Sequence, residues 1–445
     1  MRIDRLRVDN FRGFEHREFS FHPQMNLLVG VNGTGKTSVL DALAVAAGGW
    51  FLGLRGYDTR HIRSHEVRLK AIPVVSNGSN GHQTQQVNWE FQYPCTIEAS
   101  GVVNGSSLTW KRSLNTPGGR TTFVEARNIK DLAAKADNEV RGGGQVVLPL
   151  VSYYGTGRLW DTPRLHAPAD GAKAFLVKEK SSRFEGYRNS VDPRVAMEEL
   201  TGWIAQQSWA SFQQGGEISV TFAAVRRAIL GCIDDSRELY FDPKLGEVIF
   251  QIGNQGRQPF SNLSDGQRTL LTMVGDIAQK AATLNPALGD QVLKETPGIV
   301  LIDELDLHLH PLWQRRVIED LRRVFPSVQF FATTHSPFLI QSLRSGEELL
   351  MLDPDEAPTA QLANKSLEDI ASGIMGVPEP AVSQRYDEMR HTALSYFRTL
   401  ERAALAPREK LETYLEELSK GIGPYADNPA YQAFLEMKRV AKLGE

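Results

Sequence analysis

The sequence predicts an α/β fold, a mixed sheet core with helices, carrying β-rich and helical insertions and a C-terminal helical tail. Three observations predict it. Asn26–Val29 is a short apolar run that enters a glycine-bearing loop, Gly30–Thr37, and Ser38–Ala47 beyond it has helical character. Val146–Tyr154 (VVLPLVSYY) is a second run with the composition of a buried strand. Ile299–Ile302 is a third, and it ends in two carboxylates, Asp303 and Glu304. Short apolar runs bounded by turn signals fit strands buried on both faces, and strand–loop–helix is the setting a phosphate-binding loop requires.

The remaining elements follow in order. Ile3–Val8 alternates like a strand, and Phe19–Phe21 is placed to pair with it. Ala42–Leu54 is the longest nearly apolar run; it is too short to span a bilayer and reads as a buried helix and its exit. Phe51–Gly144 reads as an insertion: Val87–Ser100 and Val102–Leu114 are strand-like, with Gly101 and the pair Asn104–Gly105 as turn signals. Ser76–Gly81 and Arg141–Gly144 read as flexible connectors. Asp161–Asp192, polar and broken by glycine and proline, reads as a mobile stretch. Pro193–Gln207 and Phe222–Cys232 read as helices, and Leu239–Ile252 as a hairpin with Asp242–Gly246 in its turn. A helix should run from Leu263–Gln267 (LSDGQ) to about Ala282, and Glu348–Leu352 should be a strand. Beyond it, Ser366–Met375, Val382–Leu405, Arg408–Lys420 and Pro429–Leu443 read as helices, with Met389, Ala393, Phe397 and Leu400 at helical spacing. These elements divide the chain into residues 1–55 and 146–160 of a core, insertions over 56–145 and 161–260, a second core segment over 261–355 and a helical tail over 356–445.

Composition narrows the class. The chain has 445 residues, 41% hydrophobic and 23% charged, ordinary values for a globular protein. A formal charge of −3 gives no global basic field, so any nucleic-acid contact would need a local patch. The two cysteines, Cys95 and Cys232, have neither metal nor disulfide spacing, which fits a reducing cytoplasm. Met1–Asp9 is charged and alternating, unlike a signal peptide, and nothing suggests a membrane anchor.

Four motifs carry chemistry. Gly30-x4-Gly35-Lys36-Thr37 is a complete phosphate loop, whose glycines let backbone N–H groups face a phosphate at a helix N-terminus. Gly30, Asn32, Gly33, Thr34, Gly35, Lys36, Thr37 and Ser38 are the candidate nucleotide-binding residues. Lys36 should reach the β- and γ-phosphates of ATP, and Thr37 should ligate Mg²⁺ through its hydroxyl. Asp303 suits the Mg²⁺ shell, and Glu304 the base that orients an attacking water. An acidic strand end at the surface is the plainer reading of that pair, and the phosphate loop weighs against it. Leu263–Gln267 has the form of an ABC signature, in which Ser264, Asp265, Gly266 and Gln267 open a helix toward a phosphate. Ser264 also suits an ordinary N-cap. In the ABC-type arrangement such a surface acts on a partner subunit's nucleotide. His335, in TTHSP just past the strand-like VQFFATT, is placed to hydrogen-bond the γ-phosphate or the water. His308 and His310 have no third ligand near in sequence, which argues against zinc.

Together the four motifs, and the opening IDRLRVDNFRGFEHREFSF, resemble the ABC-type P-loop ATPase heads of chromosome-maintenance, recombination-repair and overcoming-lysogenization-defect proteins. PLVSYYGTGRLW, LNPALG, TPGIVLIDELDLHLHPLWQRRVIEDLRRVFPSVQF, TTHSPFLIQSL and NKSLEDIASGIMGV look like the PtuA-type ATPases of Septu and retron antiphage systems, over about Met1–Val377 less the insertions. This resemblance implies ATP and Mg²⁺ as cofactors and head-to-tail dimers or higher homo-oligomers. It also implies an HNH nuclease partner, and retron relatives add a reverse transcriptase with its RNA and DNA. An ATPase acting directly on DNA is the alternative. Three departures stand out. The glutamine that such heads place after the middle strand is not evident: Gly155–Arg158 holds its place, and Gln145 lies too early. The D-loop aspartate position is His310. No coiled-coil arm is present. Asp353, Asp355 and Glu356 surround Pro354 in a loop rather than an acidic α/β unit, so no nuclease site is expected in this chain. The C-terminal helices read equally as a dock for the nuclease or as a bundle covering the head's core.

Overall fold

The computed structural model describes residues 1–77, 83–157, 182–192, 197–232, 236–253, 256–352, 365–377, 379–405, 407, 410, 413–414, 416, 418–419 and 428–443. It divides into two compact units, Met1–Ile370 and Ala371–Glu445. Among the described residues no helix is long and apolar enough to cross a membrane.

Five parallel strands form the centre of the first unit, in the order Leu349–Met351, Met25–Val29, Val328–Thr333, Gly298–Ile302, Leu150–Tyr154. All but Leu349–Met351 are buried at every residue, as expected of mostly apolar strands covered on both faces. A separate antiparallel sheet runs Phe14–Ser20, Arg2–Phe11, Cys95–Val103, Ser106–Leu114. The mixed core is therefore two sheets, each of a single sense. Helix Lys36–Ala47 lies between them and touches strands of both. Its residues are buried almost throughout, so Ala42–Ala47 is apolar on every side rather than on one stripe.

Several expectations change. Val87–Ser100 is not one strand. Gln83–Phe91 pairs back with Leu69–Asn77, and a new strand starts at Cys95. Gly101 is not a turn residue but lies inside Cys95–Val103, where a Cβ would stand 2.1 Å from the Arg2 carbonyl oxygen. It permits a close backbone approach, beside a register shift between Ile3 and Arg5. The turn is Asn104–Gly105, both at positive φ. Because Cys95–Val103 pairs with Arg2–Phe11, this hairpin extends the N-terminal sheet. Helix Arg127–Arg141 and strand Gly256–Pro259 had no expectation. Of the stretch expected to be mobile, Arg183–Tyr187 is a 3-10 turn burying Phe184 and Tyr187, with the Trp50 indole N–H donating to the Tyr187 hydroxyl at 2.9 Å. Residues 161–181 of that stretch, with Arg158 before them, lie outside the described residues, as do Asp353, Asp355, Glu356 and most of Arg408–Lys420.

One ion-pair cluster anchors the chain after the phosphate-loop helix. Arg60 pairs with Glu66 and lies 3.4 Å from Asp41, while Arg12 reaches both Asp41 and Glu66. Burial alone would raise the Glu66 pKa, but hydrogen bonds from Arg60 and the Arg63 backbone hold it below its ordinary value. Arg60→Ala leaves the two buried carboxylates to Arg12 alone and should cost up to about 3–5 kcal/mol of stability, read as a lowered denaturant midpoint.

In the second unit, Gln384–Ala404 and Pro429–Leu443 pack around Tyr396, Leu400, Leu418 and Leu435. The Tyr431 hydroxyl donates to the Met389 carbonyl at 2.7 Å.

Candidate functional site

The phosphate loop leaves the buried strand Met25–Val29 and turns into helix Lys36–Ala47. The turn needs left-handed backbone at two places, Gly33 (φ 90) and Gly35 (φ 97). Gly35 has a second reason to lack a side chain, since a Cβ would lie 2.6 Å from the Phe14 ring. The Thr34 hydroxyl donates to the Val31 carbonyl at 3.0 Å and pins the loop. Lys36 arches back over it, its ammonium donating to the carbonyls of Gly30 (2.7 Å) and Val31 (3.1 Å). The first N–H groups of the helix have no carbonyl within the helix to receive them, so the loop and helix end together favour an anion.

The opposite wall comes from the ends of two neighbouring parallel strands. Ile302 lies beside Ala332, which puts Asp303 beside Thr333. The Thr333 hydroxyl donates to an Asp303 carboxylate oxygen at 2.6 Å and accepts the Glu304 N–H at 2.7 Å. The Thr37 hydroxyl reaches the same carboxylate at 3.0 and 3.3 Å. The Asp303 N–H donates to the Tyr154 carbonyl at 2.8 Å, so the third strand also fixes it. Glu304 has φ 50, a left-handed conformation unusual for a residue with a side chain. Such strain persists where surrounding bonds over-determine it, here through Thr333 and the Leu305 N–H to Thr333 carbonyl bond of 2.9 Å. His335 is exposed, one residue past Thr334, whose hydroxyl donates to Asp306 at 2.5 Å.

A cleft of about 260 Å³ gathers these groups. Asn32, Gly33, Gly35, Lys36, Thr37, Ser38, Asp303, Glu304 and His335 line it, and so does Thr333. Thr333 was missed as a functional residue. The sequence shows only a hydroxyl residue closing a strand; the pairing with the strand that ends in Asp303 gives it a role. The Thr37 hydroxyl and Asp303 carboxylate could hold a hard cation together with phosphate oxygens, a small set that needs no cluster of protein carboxylates. Among the described residues there is no group of three or more His, Cys, Asp or Glu placed to hold a metal ion.

Ser264, Asp265, Gly266 and Gln267 do not line this cleft. They open helix Asp265–Leu284, with Ser264 as the N-cap of a capping box. The Ser264 hydroxyl accepts the Gln267 N–H at 3.4 Å, and the Gln267 side chain accepts the Ser264 N–H at 3.0 Å. Capping uses the serine without hiding it, and Ser264 stays exposed. Gly266 is buried, and a Cβ there would stand 2.3 Å from the carbonyl oxygen of His308, itself at φ 63. The start of this helix thus packs on the loop that follows Glu304. His310 caps Pro311–Gln314, its ring nitrogen accepting the Leu312 N–H at 3.3 Å.

Comparison with known proteins agrees with this geometry. The family model described as "AAA domain, putative AbiEii toxin, Type IV TA system" matches residues 25–341, and the model "AAA ATPase domain" matches residues 1–47. The chain is 39% identical over 441 residues to the Retron Vc95 probable ATPase of Vibrio cholerae serotype O1 biovar El Tor, covering 84% of this chain and 80% of that protein. It is 24% identical to the Retron Ec83 probable ATPase of Escherichia coli, over 78% of this chain and 70% of that one. It is 21% identical to the Septu protein PtuA of Bacillus thuringiensis, over 85% of each chain. With its phosphate loop facing the ends of two parallel strands, the chain belongs to this AAA-domain family and is an ATPase of the ABC type.

Proposed function

We propose that this chain is the ATP-binding, regulatory subunit of an antiphage defence complex, closing head to tail on a second copy around ATP and controlling a partner nuclease of the HNH type. The observation that carries the catalytic half is the single cleft joining Lys36, Thr37, Asp303, Glu304 and His335. The kinship with retron and Septu proteins supports the defence half.

Each residue then has a role. The backbone of Gly30–Gly35 cradles the phosphates, and Lys36 neutralises the β- and γ-oxygens. Thr37 and Asp303 would hold Mg²⁺, which would supply positive charge against the phosphates. Thr333 keeps Asp303 aimed and fixes the Glu304 backbone. Glu304 orients and deprotonates the attacking water, and His335 hydrogen-bonds the γ-phosphate or that water. Ser264 and the N–H groups behind it face the γ-phosphate held by the other copy. The partners expected around this dimer are the HNH nuclease and, in a retron setting, a reverse transcriptase with its RNA and DNA.

Ser264→Arg tests the trans arrangement. It should leave ATP affinity within about twofold while turnover falls about 10²-fold or more, the size of effect seen when one transition-state donor is lost. Mixing this variant with Lys36→Ala should restore activity at one composite site, measured as phosphate release across mixing ratios. Absence of that recovery, or loss of nucleotide binding by Ser264→Arg alone, would contradict a shared site. The partner is tested by copurifying the chain with the products of its neighbouring genes and measuring mass with ATP. A stable complex containing a nuclease is expected. A chain that stays alone and dimerises only with ATP would favour an ATPase acting on DNA.

A further inference from the structure

A buried polar tie joins the strand that holds Asp303 to the middle of the helix that Ser264 opens. The Tyr154 hydroxyl donates to an Asp276 carboxylate oxygen at 2.6 Å. The Lys280 ammonium lies 2.9 Å from the same oxygen, 3.4 Å from the Ser152 hydroxyl and 5.8 Å from the centre of the Tyr154 ring. Tyr154 and Ser152 are fully buried, and Asp276 and Lys280 are 5% and 8% exposed. Burial and the adjacent carboxylate push the Tyr154 pKa well above its ordinary value, so the phenol remains a donor.

Such a group is costly to place there. Each charge loses its water on folding, and apolar residues of similar size would serve packing at least as well. Its geometry gives it a different use. The Tyr154 carbonyl accepts the Asp303 N–H at 2.8 Å, so one residue holds Asp303 by its backbone and Asp276 by its side chain. Strand Leu150–Tyr154 pairs in parallel with Gly298–Ile302, so the two strand ends move together. Helix Asp265–Leu284 meets the elements of this site at two places among its contacts. Its N-terminal Gly266 packs on the His308 carbonyl, and its centre is held by Tyr154.

We infer that Tyr154, with Asp276 and Lys280, is a positioning device that carries displacement of Asp303 on nucleotide loading to the helix presenting Ser264 to the second copy. This rests on the head-to-tail reading above. Hydrogen bonds to a charged group in a dry interior are short, directional and stiff, which suits a link meant to move two elements as one. The Tyr154 ring touches no reacting atom; its effect passes through Asp303 and Ser264.

The test uses Tyr154→Phe in the full chain, alone and combined with Glu304→Gln, with Asp276→Asn as the second variant. Four quantities are read: affinity for a fluorescent ATP analogue, kcat and KM, dimer mass with ATP, and melting temperature. The tie predicts unchanged affinity and KM, kcat down about tenfold, and ATP-dependent dimerisation of the double variant weakened about tenfold relative to Glu304→Gln, the factor for one lost charged hydrogen bond. Asp276→Asn keeps an acceptor for the phenol and should fall between. Wild-type turnover and dimerisation at a lowered melting temperature would overturn the proposal and leave a core bond only. So would loss of nucleotide affinity in step with kcat. If Glu304→Gln itself fails to dimerise with ATP, the head-to-tail reading fails, and the tie, which rests on it, falls with it; a double variant that alone fails to dimerise separates the two cases.

Discussion

Glu304→Gln is expected to bind ATP as the unmodified chain does and to hydrolyse it about 10²–10⁴-fold more slowly, the range a positioned general base supplies. The substitution keeps length, branching and one acceptor oxygen, and puts an NH2 donor in place of the other. It removes the basic oxygen. The backbone at this residue does not depend on the side chain's charge, because Thr333 holds the Glu304 N–H and the adjacent Leu305 N–H. The left-handed φ of 50 should therefore survive, since a glutamine meets the same steric cost as a glutamate. Asp303 and Thr37 keep their contact, so nucleotide affinity should not change. If closure needs ATP and opening needs hydrolysis, the variant accumulates closed dimers. Single-turnover phosphate release together with mass measurement checks both halves. Hydrolysis at the wild-type rate would move the base role off Glu304, and the exposed His335 in the same cleft would be the next residue to test.

The cleft was largely legible in the sequence because its parts are local. A phosphate loop is a contiguous string whose glycines, Gly33 and Gly35, are already called for by the local backbone conformation. Asp303 and Glu304 end a strand whose apolar run announces it. What the sequence hid are the relations between distant strings. Thr333 becomes meaningful only once Val328–Thr333 and Gly298–Ile302 are known to be neighbours in register. Tyr154 is, in the sequence, only the last residue of a buried strand, and the packing of helix Asp265–Leu284 against it reveals Asp276 as its partner. Gly101 shows the converse error. Glycine signals a turn in most contexts, but here it marks a strand pressed against the Arg2 carbonyl, a requirement set by residues far away in sequence. The Gln83–Phe91 strand was misread for a related reason. Its β-branched and aromatic residues continue into Cys95–Val103 without a composition change, and only Gln92, Tyr93 and Pro94 separate two hairpins that pair with different partners.

Lys36→Ala is the other substitution with a large expected effect, this time on binding. The Lys36 ammonium is held over the loop by two carbonyls of its own chain and its residue is only 9% exposed. Little of its conformational freedom therefore remains to be lost when it meets phosphate. Removing it deletes charge-assisted bonds worth about 1.5–3 kcal/mol each. With two phosphate oxygens engaged, affinity should fall by about 10²–10⁴-fold. Because alanine also removes a buried aliphatic stem, Lys36→Met is the better comparison, keeping most of the stem and losing only the charge. Melting with and without ATP separates the two contributions. At a ligand concentration of about 100 Kd the unmodified chain should gain about 2.7 kcal/mol from nucleotide, and both variants should gain almost nothing. Any difference between the variants in the absence of ATP measures the stem. Should Lys36→Met retain the full ATP-dependent stabilisation, the phosphates would be held by the loop backbone alone, and the lysine would serve chiefly to shape Gly30–Gly35 through the two carbonyls it grips.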